Sequence, residues 1–74
     1  MNPTERLLRR VQAGEVVSVH AGPLAGDLGC NGMTAATTLR LAVTDGLVEL
    51  DTSRHVGAWH PYRLTALGKA ALAD

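Results

Sequence analysis

The sequence predicts a small α+β domain, mainly α-helical, with a core of three helices, a β-hairpin and a short C-terminal helix. Three observations lead to this prediction. The chain has 74 residues, the size of one small domain. Apolar residues recur at helical spacing in residues 3–13 and 33–45. Two short segments with alternating apolar residues, 47–52 and 58–64, flank a polar turn and therefore predict a hairpin.

The composition excludes several classes of protein. A single cysteine cannot form an internal disulfide, so a small secreted domain stabilised by disulfides is excluded. No apolar run approaches the ~18 residues of a membrane span, and the first residues show no signal-peptide pattern. We therefore expect one cytoplasmic domain over residues 1–74, with no membrane partner. So short a chain leaves little room for a substrate pocket, and we expect no enzyme.

The charge is balanced overall but unevenly distributed along the chain. The net charge is zero and the pI is about 6.8, whereas nucleic-acid-binding domains often have a pI above ~9. Residues 53–69 nevertheless contain Arg54, Arg63 and Lys69 and no acidic residue. Within residues 27–51, by contrast, most of the charged side chains are acidic. A basic face is therefore possible on this neutral protein.

The first predicted element is a helix that begins after Asn2. Asn2 can cap it, Pro3 fits the first helical position, and Glu5 stands where a capping box has its acid. Its apolar face carries Leu7, Leu8 and Val11. Gly14 is a natural end for this helix, and the β-branched segment 16–19 predicts a short strand.

Two further helices are predicted before the hairpin. Pro23 can open a short one, in which Leu24 and Leu28 are i, i+4 partners. After a turn at residues 29–32, a stronger helix is predicted from Met33 to Asp45. We expect one of its faces to carry Ala35, Ala36, Leu39, Ala42 and Val43. We expect the other face to carry Met33, Thr34, Thr37, Arg40, Leu41 and Thr44.

The last third of the chain predicts the hairpin and a closing helix. In the hairpin, Val48 and Leu50 share one face of the first strand, and Tyr62 and Leu64 share one face of the second. Thr65 can cap the last helix, whose large apolar residues are Leu67 and Leu72. The predicted core comprises Leu8, Val11, Leu28, Leu39, Val48, Leu50, Tyr62 and Leu64.

Two segments resemble winged helix-turn-helix domains of small bacterial and phage transcriptional regulators, of the multiple-antibiotic-resistance and metalloregulator types. The first begins with Leu-Ala-Gly-Asp-Leu-Gly at residues 24–29 and continues through Thr34 or Thr37, Leu39 and Ala42 to Gly-Leu-Val at 46–48. The second is Tyr-Arg-Leu-Thr-Ala-Leu-Gly at 62–68, similar to the motif that ends the wing in those families. This chain departs from the pattern at Ala42, usually Leu, and at Leu41, often polar.

The resemblance implies a protein that binds double-stranded DNA and regulates transcription, for example as a repressor. It places residues 33–45 in the major groove and makes residues 47–64 the wing, the name used below for that segment. The DNA-binding residues it implies are Thr34, Thr37, Thr38, Arg40, Leu41, Thr44, Arg54, His55 and Arg63. Threonine can hydrogen-bond a base, and Arg40 could bind guanine through two hydrogen bonds. No cofactor is implied.

Each of these residues also has a structural interpretation. The threonines can belong to a solvated helix face, and Arg63 can pair across the strands with Glu49 or Asp51. Arg6, Arg9 and Arg10 can contact flanking phosphates or form a solvated polar face. Trp59 is expected on the outer face of the hairpin, either as a contact surface or folded over thin core.

No metal site or catalytic constellation is predicted. Cys30, His20, His55 and His60 fit no metal-ligand spacing, and Cys30 is better interpreted as a small buried or turn residue. Thr65 and Gly68 are interpreted as a cap and a packing position. The competing function is a winged-helix protein-interaction module, favoured by the neutral charge and by the predicted exposure of Leu41 and Trp59.

A weak homodimer is also expected, since paired winged-helix domains contact two half-sites. No added dimerisation helix is visible, so the interface would use the first helix and the closing helix around Leu67 and Leu72. The outer hairpin face with Trp59 is the less favoured surface.

Overall fold

The computed structural model describes residues 2–14, 16–17 and 31–73. In chain order the described elements are helices α1 (Pro3–Ala13) and α2 (Gly32–Thr44), strands β1 (Val48–Leu50) and β2 (Tyr62–Leu64), and helix α3 (Ala66–Leu72). This confirms an α+β, mainly helical protein with an antiparallel hairpin, an architecture compatible with a winged helix. The predicted helix around residues 24–28, with its core residue Leu28, lies outside the described residues.

Helix α1 begins and ends as its sequence predicts. The side-chain oxygen of Asn2 accepts the N–H of Glu5 at 2.8 Å, and Pro3 is the first helical residue. Gly14 ends the helix with φ at +101°, a backbone conformation that glycine adopts without steric cost. The expected strand after it differs: Val16 and Val17 lie in no strand, and residues 18 and 19 are outside the described part. Val16 still offers its carbonyl to the N–H of Tyr62 at 2.7 Å.

Helix α2 is capped by Asn31, whose side-chain oxygen accepts the N–H of Thr34 at 2.8 Å. Its buried residues are Ala35, Thr38, Leu39 and Ala42. The predicted inner face was therefore partly wrong, because Ala36 and Val43 are exposed. The helix is turned so that Thr38 takes the inward position beside Leu39, and its hydroxyl is satisfied by donating to the carbonyl of Thr34 at 2.7 Å.

The hairpin is shorter than predicted. Val48 pairs with Leu64, Glu49 with Arg63, and Leu50 with Tyr62. Pro61 has no N–H to donate, although its carbonyl still accepts the N–H of Asp51 at 2.8 Å. Regular pairing therefore ends there, and the alternation predicted over residues 58–64 is interrupted before it reaches Trp59.

The core lies between α1, α2 and the inner end of the hairpin. Its buried apolar residues are Leu7, Leu8, Val11, Val16, Ala35, Leu39, Ala42, Val48 and Leu64. Five predicted core residues are thus confirmed, while Tyr62 is only half-buried. Leu50 was wrongly placed in the core and is 50% exposed. It pairs with Tyr62 at the end of the ladder that leads into the turn, whereas Val48 lies at the inner end.

Helix α3 closes against the segment that joins α2 to β1. The hydroxyl of Thr65 accepts the N–H of Gly68 at 3.1 Å, which confirms the predicted cap. Gly68 is buried, and a Cβ built on it would lie 2.1 Å from the carbonyl oxygen of Leu47. The expected packing role of Gly68 is therefore confirmed, since the two backbones meet where no side chain fits.

Candidate nucleic-acid interface

The outer face of α2 is a row of side chains along one line of the helix. Opposite the buried residues stand Met33, Thr37, Arg40 and Thr44, at spacings of four, three and four residues. At 1.5 Å per residue this row is about 16 Å long. Thr34 and Leu41 flank it and are exposed. The predicted outer face of α2 is therefore confirmed, with Thr37 partly buried.

Thr38 is removed from the candidate interface. Its side chain lies on the buried side of α2, and its hydroxyl donates to a carbonyl of its own helix. A residue in this position has no free donor for a base. The resemblance to winged helix-turn-helix domains had implied that it contacts DNA, as part of the helix that enters the major groove.

Arg40 differs from the other arginines of the described residues. Within residues 2–14, 16–17 and 31–73 it has no ion pair and no side-chain hydrogen bond, and it is exposed. Arg9 pairs with Glu5 at 3.2 Å, and Arg54 and Arg63 both pair with carboxylates of the wing. A ligand that binds the guanidinium of Arg40 would therefore break no side-chain contact with the described residues.

Arg63 is held across the hairpin. Its Nε donates to Oε1 of Glu49 at 2.9 Å, and its Nη1 lies 3.6 Å from Oδ1 of Asp51. This confirms the cross-strand pair that was weighed against DNA contact. About half of the Arg63 side chain stays exposed, but a phosphate would have to compete with the two carboxylates for its guanidinium.

Asp51 is the centre of the wing's base, although the sequence indicated it only as a possible partner for Arg63. It is 6% exposed, and its Oδ1 accepts both the hydroxyl and the N–H of Ser53. These hydrogen bonds, chiefly that from the Ser53 hydroxyl, hold the pKa of Asp51 below its ordinary value of 3.8 against the opposing effect of burial. Arg63 and Arg54 lower the pKa further. The Asp-x-Ser spacing typical of an Asx turn was the available signal.

Arg54 lies between the wing and the end of α1. Its Nη1 is 3.8 Å from Oδ2 of Asp51, and its Nη2 lies 3.6 Å from the position a Cβ on Gly14 would occupy. The guanidinium thus stands at the C-terminus of α1, where the helix dipole favours a cation. Its side chain is about half exposed.

The tip of the wing is a second, smaller hairpin. Val56 and Trp59 exchange both backbone hydrogen bonds, at 2.7 and 3.1 Å, and Gly57 takes a φ of +62° in the turn between them. His55 and His60 stand on either side of this pair with ring centroids 4.5 Å apart. Nδ1 of His60 lies 2.8 Å from the carbonyl oxygen of Arg54.

Exposed apolar side chains lie near the same surfaces. In the described part of the chain the large ones are Met33, Leu41, Val43, Leu50, Trp59 and Leu67. Trp59 is 55% exposed, as expected for an outer position. The large apolar residues of α1 are all buried, so of the surface predicted for a dimer only the α3 side, with Leu67, offers an exposed large apolar residue. The homodimer stays a prediction.

A shallow cleft of about 220 Å³ lies between the start of α1 and the end of α3. It is lined by Asn2, Thr4, Glu5, Leu8, Leu47 and Ala71. Its single titratable residue, Glu5, is paired with Arg9. Small-molecule sites usually enclose about 300–1,000 Å³, so this cleft offers less room than a substrate pocket.

Among the described residues no group of three or more His, Cys, Asp or Glu could hold a metal ion. Over the same residues, no helix has the length and apolar character needed to cross a membrane. No protein-family model, curated protein or solved structure matches the chain.

Proposed function

We propose that this protein is a winged helix-turn-helix module that binds double-stranded DNA and regulates transcription. In this proposal α2 enters the major groove with its outer row of side chains, and the wing lies along the neighbouring backbone. It acts by occupying its site, without catalysis. The order of the described elements, with a hairpin directly after α2 and a helix directly after the hairpin, supports this assignment.

The observation that carries the proposal is Arg40 in the middle of the exposed row of α2. An arginine with no partner among the described residues can bind guanine O6 and N7 together, which is worth about 1–3 kcal/mol of discrimination against another base. Thr37 and Thr44 stand one turn before and after it, within reach of neighbouring base edges. A row about 16 Å long on a helix of ordinary diameter also fits a major groove about 12 Å wide.

The direction of α2 in the groove follows from charge. The first turn carries no acid and presents the positive end of the helix dipole, whereas Asp45 caps the last turn. Phosphates therefore favour the N-terminal end. In the proposal this end, with Thr34 and Thr37, enters the groove first, and the end with Asp45 points away from the backbone.

The wing supplies the second contact. Arg54 and His55 are exposed near its tip, and Asp51 beneath them is already neutralised by two arginines. Few cations are thus available for phosphates, which agrees with the zero net charge. We expect weak binding to bulk duplex, with affinity depending on a specific sequence.

The test is selection of a bound sequence from a random duplex library, followed by titration of three proteins on the selected and a scrambled duplex. Arg40→Ala should weaken binding to the selected site about tenfold or more and barely change binding to the scrambled one. Lys69→Ala is the matched control, because Lys69 is an exposed cation that lies on α3 and not on α2. Failure to recover any enriched sequence at low salt would overturn the proposal.

A second candidate is a protein-interaction module, favoured by the exposed apolar residues Met33 and Leu41 on α2. Met33 is 82% exposed, which is unusual for a large apolar residue unless a partner covers it. Salt separates the two candidates. Phosphate contacts make DNA affinity fall steeply as salt rises, whereas burial of apolar surface is not weakened by salt.

A further inference from the structure

We infer that His55 and His60 form a two-histidine site for a divalent transition metal at the tip of the wing. This inference rests on the geometry of the tip and not on the proposed DNA binding. The two residues are five positions apart in sequence around the Val56–Trp59 turn, a spacing that matches no familiar motif. The turn nevertheless brings their rings to a centroid distance of 4.5 Å with an interplanar angle of 42°.

The hydrogen bond of His60 fixes which ring nitrogen can bind a metal. The carbonyl oxygen of Arg54 can only accept, so Nδ1 of His60, 2.8 Å away, must carry the proton. In the neutral ring Nε2 is then left with its lone pair. Metal-binding histidines in proteins are commonly oriented in this way, by donating the other ring N–H to a carbonyl. The outer shell of a metal ligand is thus already in place for His60.

The backbone at the tip holds the two histidines in position before a metal arrives. Val56 and Trp59 form both hydrogen bonds of an antiparallel pair, and Gly57 supplies the positive φ between them. At the base, the N–H of Arg54 donates to the carbonyl of Asp51 at 3.2 Å. The second ligand therefore binds at a high effective concentration once the first is engaged.

The distances between the rings fit a shared metal. Zinc–nitrogen bonds are about 2.0–2.1 Å, so two nitrogens on one tetrahedral metal lie about 3.3 Å apart. Rings with centroids 4.5 Å apart can reach this separation by side-chain rotation, because His55 is exposed. Water would fill the remaining coordination positions.

The identity of the metal follows from the ligands and the charge around them. Two neutral imidazoles suit zinc, copper and nickel, and disfavour magnesium and calcium, which prefer oxygen. Arg54, which precedes His55 in the chain, has its Nη1 3.8 Å from Oδ2 of Asp51, and that carboxylate offsets its charge. The positive charge of Arg54 therefore does not prevent a divalent cation from binding at the two histidines.

Zinc titration followed by NMR of the histidine ring protons tests this inference. The ring signals of His55 and His60 should shift together, with one midpoint. In His60→Gln the midpoint for the remaining His55 signal should rise about tenfold or more, because one of two ligands is lost. His20→Gln is the matched control and should leave the midpoint of the pair unchanged.

Backbone amide spectra of each variant, recorded without zinc, show whether the wing keeps its fold. His55→Gln, examined through the His60 signal, gives an independent second measurement. The inference is overturned if His55 and His60 shift with different midpoints, or if His60→Gln leaves the midpoint of His55 unchanged. It is also overturned if removal of His20 raises the midpoint as much as removal of His60.

Discussion

The hydroxyl of Thr65 joins two helices by donating to the carbonyl of Gly46 while accepting the N–H of Gly68. Gly46 follows the C-terminus of α2, and Gly68 lies in the first turn of α3. One side chain thus satisfies a carbonyl and an orphan N–H, and it ties the ends of the hairpin to both helices. The N–H of Thr65 also donates to the carbonyl of Leu47 at 3.0 Å.

Removal of this hydroxyl should be costly. Thr65→Ala should lower the free energy of unfolding by about 1–2 kcal/mol, because the cap is lost and the carbonyl of Gly46 loses a donor. Thr65→Ser keeps the hydroxyl and should lose much less. Urea unfolding of the two variants beside the parent measures both values. Equal losses for alanine and serine would show that the methyl group, not the hydroxyl, is what matters.

The contact between Gly68 and Leu47 predicts a second sensitive position. Gly68→Ala places a Cβ 2.1 Å from a backbone oxygen, so α3 must move away from the hairpin. Overpacking of this kind usually costs about 1–3 kcal/mol, even though alanine is the better helix former. Thermal unfolding should therefore show a lower Tm for Gly68→Ala. Lys69→Ala, one residue along and exposed, should leave Tm nearly unchanged, and a similar drop in both would contradict the packing argument.

Asp51 should make the stability of the protein depend on pH. Its pKa in the folded protein is lowered, so the ionised carboxylate stabilises the fold above the ordinary value of 3.8. This contribution is lost as the pH falls through the lowered pKa of the folded state. The difference in unfolding free energy between the parent and Asp51→Asn should therefore be largest above pH 4 and shrink below it. Urea unfolding from pH 2.5 to 7 measures the difference, and a pH-independent difference would contradict the assignment.

The orientation of α2 about its axis predicts which of its leucines matters for stability. Leu39 is buried and Leu41 is about half exposed, although both are leucines two positions apart in one helix. Leu39→Ala should cost about 2–5 kcal/mol, most of the stability of so small a domain. Leu41→Ala should cost well under 1 kcal/mol. Comparable losses in urea unfolding would mean that α2 is turned differently about its axis.

The helices and their ends were predictable because their signals are local. Asn2, Pro3 and Gly14 bound α1 through chemistry that acts within four residues, and Thr65 does the same for α3. The inner and outer faces of α2 were nearly right, for the same reason. Thr38 was assigned to the DNA-contacting residues through the resemblance, and the tertiary packing of α2, which the sequence pattern does not determine, turned it toward the core instead.

The wing was less predictable because its geometry depends on unequal strand lengths. Between the Asp51–Pro61 hydrogen bond and the Val56–Trp59 pair, residues 52–55 face His60 alone. A simple alternation over residues 58–64 therefore fails, and the approach of His55 to His60 has no signature in the sequence. Leu50 was misassigned for a related reason, since alternation gives the face of a strand but not how far the core extends along it.

Arg63 and Arg40 should differ in their contributions to the free energy of unfolding. The guanidinium of Arg63 forms ion pairs with Glu49 and Asp51, whereas Arg40 makes no such contact among the described residues. Arg63→Ala should therefore lower the unfolding free energy by up to about 1 kcal/mol, as expected for a partly exposed ion pair. Arg40→Ala should leave stability within about 0.5 kcal/mol of the parent.

The same two variants should have the opposite order on DNA. With the selected duplex, Arg40→Ala should weaken binding about tenfold or more, and Arg63→Ala only slightly, because Arg63 would have to leave two carboxylates to reach a phosphate. Both quantities can be measured on one preparation, by urea unfolding and by fluorescence anisotropy. If Arg63→Ala weakened binding to the selected duplex as much as Arg40→Ala while leaving stability unchanged, the ion pairs of Arg63 would not restrain it, and the wing rather than α2 would dominate the interface.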